Sequence, residues 1–156
     1  MESPPLLKLA TSAEYEAHYK RHYCRGEVYT FDGIRVYFKP QKFGHAFYKN
    51  SQRRKGAKDA FSPERAQRMD WIKHALQDQD AELYQGWNKD DRVYVEDRRV
   101  SVILGDFVTV IELSLNQKGE LKGNFVTCYV ADNSIASIKQ SPQWDREQCL
   151  EKLRRK

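Results

Sequence analysis

Three separated pieces of this chain carry side chains able to act on a phosphodiester. The first is Phe43-Gly-His-Ala-Phe-Tyr-Lys49, which runs on to Arg53-Arg54-Lys55 and Lys58. The His45 imidazole titrates near neutral pH and can take or give a proton. The cations Lys49, Arg53, Arg54, Lys55 and Lys58 would hold phosphate and offset the charge that builds on it during transfer. Tyr48 among them would stack on a base. The same run also suits a solvated basic loop with a hydrophobic anchor. The second piece is a helical pattern from Pro63 to about Gln79, with Met69, Ile72 and Leu76 as its apolar stripe. Arg65 falls about 20° from both Ile72 and Leu76, and Arg68 about 40° from Ile72. Arginines on such a stripe need an anion or a route to water past the helix end, and a helix N-terminus attracts anions on its own account. The third piece is the last strand. Thr127 and Tyr129 share one of its faces by the period of two, with Phe125 below them and Cys128 turned away. Both are also ordinary strand residues.

A fourth cluster, Glu14, His18 and His22 at four-residue spacing, could grip a metal from one side. No further ligand accompanies it, and it reads as a solvated helix face with i,i+4 pairing. His74 reads as a surface residue. Several signatures are missing: GxxxxGK[ST], GxGxxG after a strand, GxSxG and HExxH. P-loop hydrolysis, dinucleotide redox and zinc hydrolysis therefore find no support. The expectation is no metal site and no cofactor.

Charge distribution strengthens the first piece. The 156 residues hold 27 Lys plus Arg against 22 Asp plus Glu, a net of +5. Eight of the basic residues lie between Arg35 and Lys58, where no acidic residue occurs. Without that stretch the chain would be net negative, so the positive field is local and suits a polyanion. The three cysteines, Cys24, Cys128 and Cys149, are odd in number and form no CxxC. They read as reduced thiols in a cytoplasmic protein with no disulfide-linked partner. No secretory signal and no spanning segment is apparent, so no membrane association is expected.

These groups need elements to position them. Thr11-Ser-Ala-Glu14 fits a capping box that opens a helix, with Tyr15, Tyr19 and Tyr23 as a stripe and Gly26 as the exit. Val28–Phe31 and Ile34–Phe38 flank Asp32-Gly33, a strong hairpin signal. Residues 41–61 read as a loop with a short helix. Ser62 and Pro63 suit the start of the next helix. Four strands follow: Glu82–Trp87, Arg92–Glu96, Val100–Leu104 with Phe107–Leu113 running on, and Leu121–Val130. Turn signals at Asn88-Lys-Asp90, Asp97-Arg98, Gly105-Asp106 and Gln117-Lys-Gly119 separate them. Phe107–Leu113 is rich enough in β-branched residues to be central and covered. Asp132-Asn133 closes the last strand, and a final helix spans roughly Pro142–Leu153. The fold class is α+β: an antiparallel four- to five-stranded meander packed on helices, with an N-terminal helix and β-hairpin extension. Residues 1–40 form that extension and 41–156 the main domain, in one compact unit.

The order of elements resembles the phage-associated members of the barnase–EndoU–colicin–RelE (BECR) nuclease superfamily. Three features carry the resemblance. They are Phe43-Gly-His45 before a helix, Arg65 to Trp71 with Ile72 on that helix, and a meander ending Phe125-Val-Thr127-Cys-Tyr129-Val-Ala-Asp132, about 90 residues in all. The resemblance implies metal-independent RNA cleavage. By position, His45 matches the family's helix-proximal histidine and Thr127 its last-strand hydroxyl. Arg53, Arg54, Lys55, Arg65 and Arg68 all compete for the basic role. It implies RNA as partner, with an acidic inhibitor or a phage structural protein as further partners, and a cytoplasmic or phage-particle location. The alternative is a non-catalytic module that binds nucleic acid or an acidic partner.

Overall fold

The computed structural model describes residues 3–49, 60–88, 93–131 and 134–155, with backbone only at 87, 88 and 93–98. Arg53, Arg54, Lys55, Lys58 and Asp132-Asn133 lie outside the described residues.

Thr11 caps the first helix as its sequence predicts, while the reciprocal Glu14 bond falls one residue before the cap. Thr11 Oγ1 accepts from the Glu14 amide at 3.2 Å, and the Glu14 carboxylate accepts from the Ala10 amide at 3.1 Å. Helix α1 (Ser12–Tyr19) passes into a wider π turn at Lys20–Cys24. At ordinary helical pitch a four-residue repeat drifts about 40° per step. The wider turn reduces that drift, and Tyr19 and Tyr23 stack with centroids 6.0 Å apart. Gly26 ends the segment, because a Cβ there would lie 2.4 Å from the His22 carbonyl oxygen.

Strands β1 (Val28–Tyr29) and β2 (Arg35–Tyr37) form the expected hairpin, with Gly33 at φ +86° in its turn. The hairpin joins the main sheet. Strand β2 pairs in parallel with β8 (Leu121–Val130), completing a six-stranded sheet in which β7 (Phe107–Leu115), β6 (Val93–Leu104) and β5 (Glu82–Asn88) follow β8 in that order. The strands β5, β6, β7 and β8 are successively antiparallel. The basic segment contributes helix α2 (Lys42–Ala46) and strand β3 (Tyr48–Lys49), which pairs with β4 (Ala60–Phe61) as a separate two-stranded sheet.

Two strand boundaries differ from the sequence reading. Asp97-Arg98 lies within β6. The pairing steps from Gly86↔Val95 to Gln85↔Val100, so residues 96–99 have no partner on β5. Phe107–Leu115 does not run on from Val100–Leu104. Gly105, at φ +62°, turns the chain and pairs Leu104 with Phe107. β7 is nevertheless central, between β6 and β8, with its first five residues buried.

The helix expected from Pro63 to Gln79 is two helices, α3 (Pro63–Ala66) and α4 (Met69–Gln77). Gln67 O, freed at the break, accepts from the Leu7 amide at 2.7 Å, so a tertiary hydrogen bond replaces that rung of the helix. Met69 O, in the first turn of α4, also accepts from the Tyr23 hydroxyl at 2.7 Å. Helix α5 (Ile135–Lys139) has no counterpart in the sequence reading, and α6 (Arg146–Arg155) starts later than expected.

The sheet has two unlike faces. The inner face meets the helices in one core containing Tyr19, Tyr23, Val36, Phe47, Ile72, Phe125, Cys128 and Cys149. The division drawn at residue 40 therefore has this core on both sides. The outer face carries a smaller cluster around Tyr84, Ile103, Val108 and Val126, packed against Ile135 and Ile138 of α5. Among the described residues, no helix is long and apolar enough to cross a membrane.

Candidate functional site

Three of the sequence-selected segments meet at one backbone carbonyl. Helix α2 is short, and the carbonyls at its end lack intrahelical partners. Ala46 O accepts from Arg65 Nη1 at 3.2 Å, and the same nitrogen reaches Tyr48 O at 3.2 Å. The Cys128 thiol of β8 points at Ala46 O from 3.9 Å, a weak hydrogen bond. Ser62 orients α3 by accepting from the Arg65 amide at 3.3 Å. His45, the residue before Ala46, is exposed. The structure therefore sets the His45 backbone, the Arg65 guanidinium and residue 128 of β8 side by side.

Tyr129 follows Cys128 on β8. Burial pushes its phenol upward in pKa, and the Arg65 charge pulls the other way. The phenol thus stays protonated, a hydrogen-bond donor through the neutral range.

Thr127 and Tyr129 open onto the outer face. Phe125 does not lie below them, contrary to the simple alternation. Val110 pairs with Thr127 and Ile111 with Phe125, so Val126 is an extra residue. This β-bulge changes the phase, sending Phe125 into the inner core. Thr127 and Tyr129 line a groove of about 610 Å³ with Gln85, Arg99, Ser101 and Ser141. Thr127 Oγ1 is buried there with no hydrogen-bond partner among the described residues. Arg99 enters where Gly86 leaves room, since a Cβ on Gly86 would lie 2.5 Å from the Arg99 Cβ. Arg99 pairs loosely with Glu112 at 3.8 Å. The sequence reading missed Arg99, Ser101, Gln85 and Ser141. The one available signal was a glycine inside a strand pattern, which marks a bulge or close approach.

The two approaches to β8 come from opposite sides. Arg65 and Ala46 reach it from the inner side, Thr127 from the outer. Strand β2 pairs with β8 only as far as Asn124, and beyond that point no described strand covers this edge.

Other selected residues are elsewhere. Arg68 caps α4 and donates to Glu64 O at 2.8 Å, with its guanidinium 5.1 Å from the centre of the Trp71 ring. Trp71 in turn meets Phe107 edge-on and donates to Pro4 O at 2.8 Å. Tyr48 sits edge-on to Phe61 and Phe43, and Lys49 is exposed. His18 bonds Asp70 at 2.9 Å and its ring lies 4.3 Å from that of His22. Among the described residues, no three His, Cys, Asp or Glu side chains group as a metal site requires. Compared with models of known families, with curated proteins and with solved structures, the chain has no match.

Proposed function

We propose that this protein binds RNA and cleaves it by 2′-hydroxyl transesterification without a metal ion. One observation carries the reading: the Ala46 carbonyl joins the helix bearing His45, the Arg65 guanidinium and the strand bearing Thr127 and Tyr129. In this mechanism His45 takes the 2′ proton as the 2′-oxygen bonds to phosphorus. It returns a proton to the 5′-oxygen as the P–O5′ bond breaks, leaving a 2′,3′-cyclic phosphate and a 5′-hydroxyl. Arg65 faces the phosphate oxygens, where developing charge is greatest. The Thr127 hydroxyl and the neutral Tyr129 phenol donate to the same oxygens. Arg68, turned onto Trp71, has no part.

The test is cleavage of end-labelled RNA in EDTA. The reading expects a cyclic phosphate product and a loss of about 10²–10⁴ in rate for His45→Ala. Equal rates for the two proteins, or scission at a linkage lacking its 2′-hydroxyl, would refute it. A second reading, binding without cleavage, draws on the double hydrogen bond of Arg65 to backbone carbonyls. Stable RNA complexes with no scission would favour it.

A further inference from the structure

The strand register lays side chains across the outer face in rows. One row runs Tyr29, Arg35, Lys122, Ser114 over β1, β2, β8 and β7. The next runs Tyr37, Asn124, Glu112, Arg99 over β2, β8, β7 and β6. Helix α5 packs at the other end of this face, around Tyr84 and Val108. Tyr29 and Tyr37 are exposed at 41% and 44%, unusual for two tyrosines on adjacent strands of a folded sheet. The Arg35 guanidinium lies between them, 5.6 Å from one ring centre and 4.8 Å from the other. A cavity of about 340 Å³ opens beside Tyr37, lined also by Arg35, Lys39, Lys122 and Asn124. A second, of about 240 Å³, continues from Lys39 and Asn124 to Lys42 and Ser114. Two carboxylates border this surface: Glu27, 3.5 Å from Arg35, and Glu112.

We propose that this end of the outer face is a docking platform for unpaired RNA, with Tyr29 and Tyr37 as stacking surfaces and Arg35, Lys39, Lys42 and Lys122 as phosphate contacts. Four cations against two carboxylates select an anionic ligand. Exposed flat rings interleaved with those cations select one that carries bases, which an acidic peptide does not. Rings on a sheet reach only bases that are splayed out, so the ligand is single-stranded. Three strand gaps of about 4.8 Å give room for two or three bases, as on other sheet platforms. Asn124 supplies a donor and an acceptor for a base edge or a sugar hydroxyl. The choice of RNA rests on the ribonuclease reading, and the platform would deliver the strand across β8 toward Thr127 and Tyr129.

The experiment is fluorescence anisotropy in EDTA with a labelled ten-nucleotide 2′-O-methyl strand, which cannot be cleaved through its 2′-oxygen. The expected result is single-strand binding at least ten-fold tighter than binding of the matching duplex. Tyr37→Ala and Tyr29→Ala should each weaken it roughly five- to a hundred-fold. Arg35→Gln with Lys122→Gln should lower the salt slope by about 1.4. Both tyrosines are exposed, so melting curves of the variants should match wild type. His45→Ala should bind this strand as wild type does. Duplex preference, unchanged affinity in both tyrosine variants, or tighter binding of a polyglutamate peptide would each overturn the platform. Loss of cleavage in His45→Ala with intact Tyr37-dependent binding separates the two proposals. If His45→Ala cleaves normally, the mechanism fails and the platform stands.

Discussion

The inner and outer faces of the sheet are built from the same strands, yet they are chemically opposite. Inward, Val36, Phe125, Ile111 and Val102 press against aromatic side chains from the helices, and Tyr19 alone has ring contacts with Phe38, Phe43, Phe47 and Phe125. Outward, the same strands place Tyr37, Lys122, Thr127 and Arg99 at solvent or in open grooves. Packing covers the first face throughout, whereas on the second it is concentrated under α5. A sheet covered on one side can give up packing on the other, and only there can polar groups remain available to a ligand.

That contrast can be broken or sharpened by substitution. The largest effect on stability is expected inward. Phe125→Ala should cost about 3–5 kcal/mol, a fall in melting temperature of roughly 6–20 °C. Tyr37→Ala, outward on the neighbouring strand, should stay within about 0.5 kcal/mol. Thermal unfolding of the pair measures the asymmetry, and equal losses would erase it.

Gly86→Ala comes next. The new methyl would collide with Arg99 Cβ, so a cost of about 1–3 kcal/mol is expected. It should also reshape the groove at Thr127, visible as amide shift changes in that part of β8. A silent substitution would mean that Arg99 does not approach Gly86 as described.

Tyr23→Phe removes the buried hydroxyl that donates to the Met69 carbonyl, for about 1–3 kcal/mol in chemical denaturation. A neutral substitution would mean that Tyr23 does not tie the π turn to the start of α4 as described.

The smallest effect is on pH dependence. Burial raises the pKa of Tyr19 and Tyr23 above their ordinary 10.0. A raised pKa means that the folded form holds the proton more tightly than the unfolded chain. Stability should therefore be complete below about pH 10 and fall as pH rises further. Denaturant midpoints between pH 8 and 11 would show it, and the double variant Tyr19→Phe, Tyr23→Phe should flatten the decline. A midpoint that rises with pH in that range contradicts the burial of both phenols.

Much of this was legible in sequence because local signals and tertiary packing agree. Thr11, Asp32-Gly33, Ser62-Pro63 and the β-branched run at Phe107 each do locally what the fold needs. The parallel pairing of β2 with β8 was not legible, since nothing in Arg35–Tyr37 marks its distant partner. The break at Gln67–Arg68 was hidden because the partner of the freed Gln67 carbonyl, the Leu7 amide, lies far away in sequence. For the site, His45, Arg65, Thr127 and Tyr129 were selected by residue type, and the structure gathers three of their segments. The bulge at Val126 reversed the position of Phe125, because period-two counting assumes an unbroken strand. Arg99 and the Tyr29–Tyr37 pair were overlooked because their significance comes from register, which is a property of paired strands.

On the proposed reading, RNA lies along the outer face and reaches β8 beyond Asn124, where its pairing with β2 ends. Photocrosslinking of a 2′-O-methyl strand carrying 4-thiouridine, followed by peptide mapping, tests it most directly. Crosslinks are expected in the peptides containing Tyr29, Tyr37 and Tyr129. Crosslinks confined to α4 or α6 would contradict it.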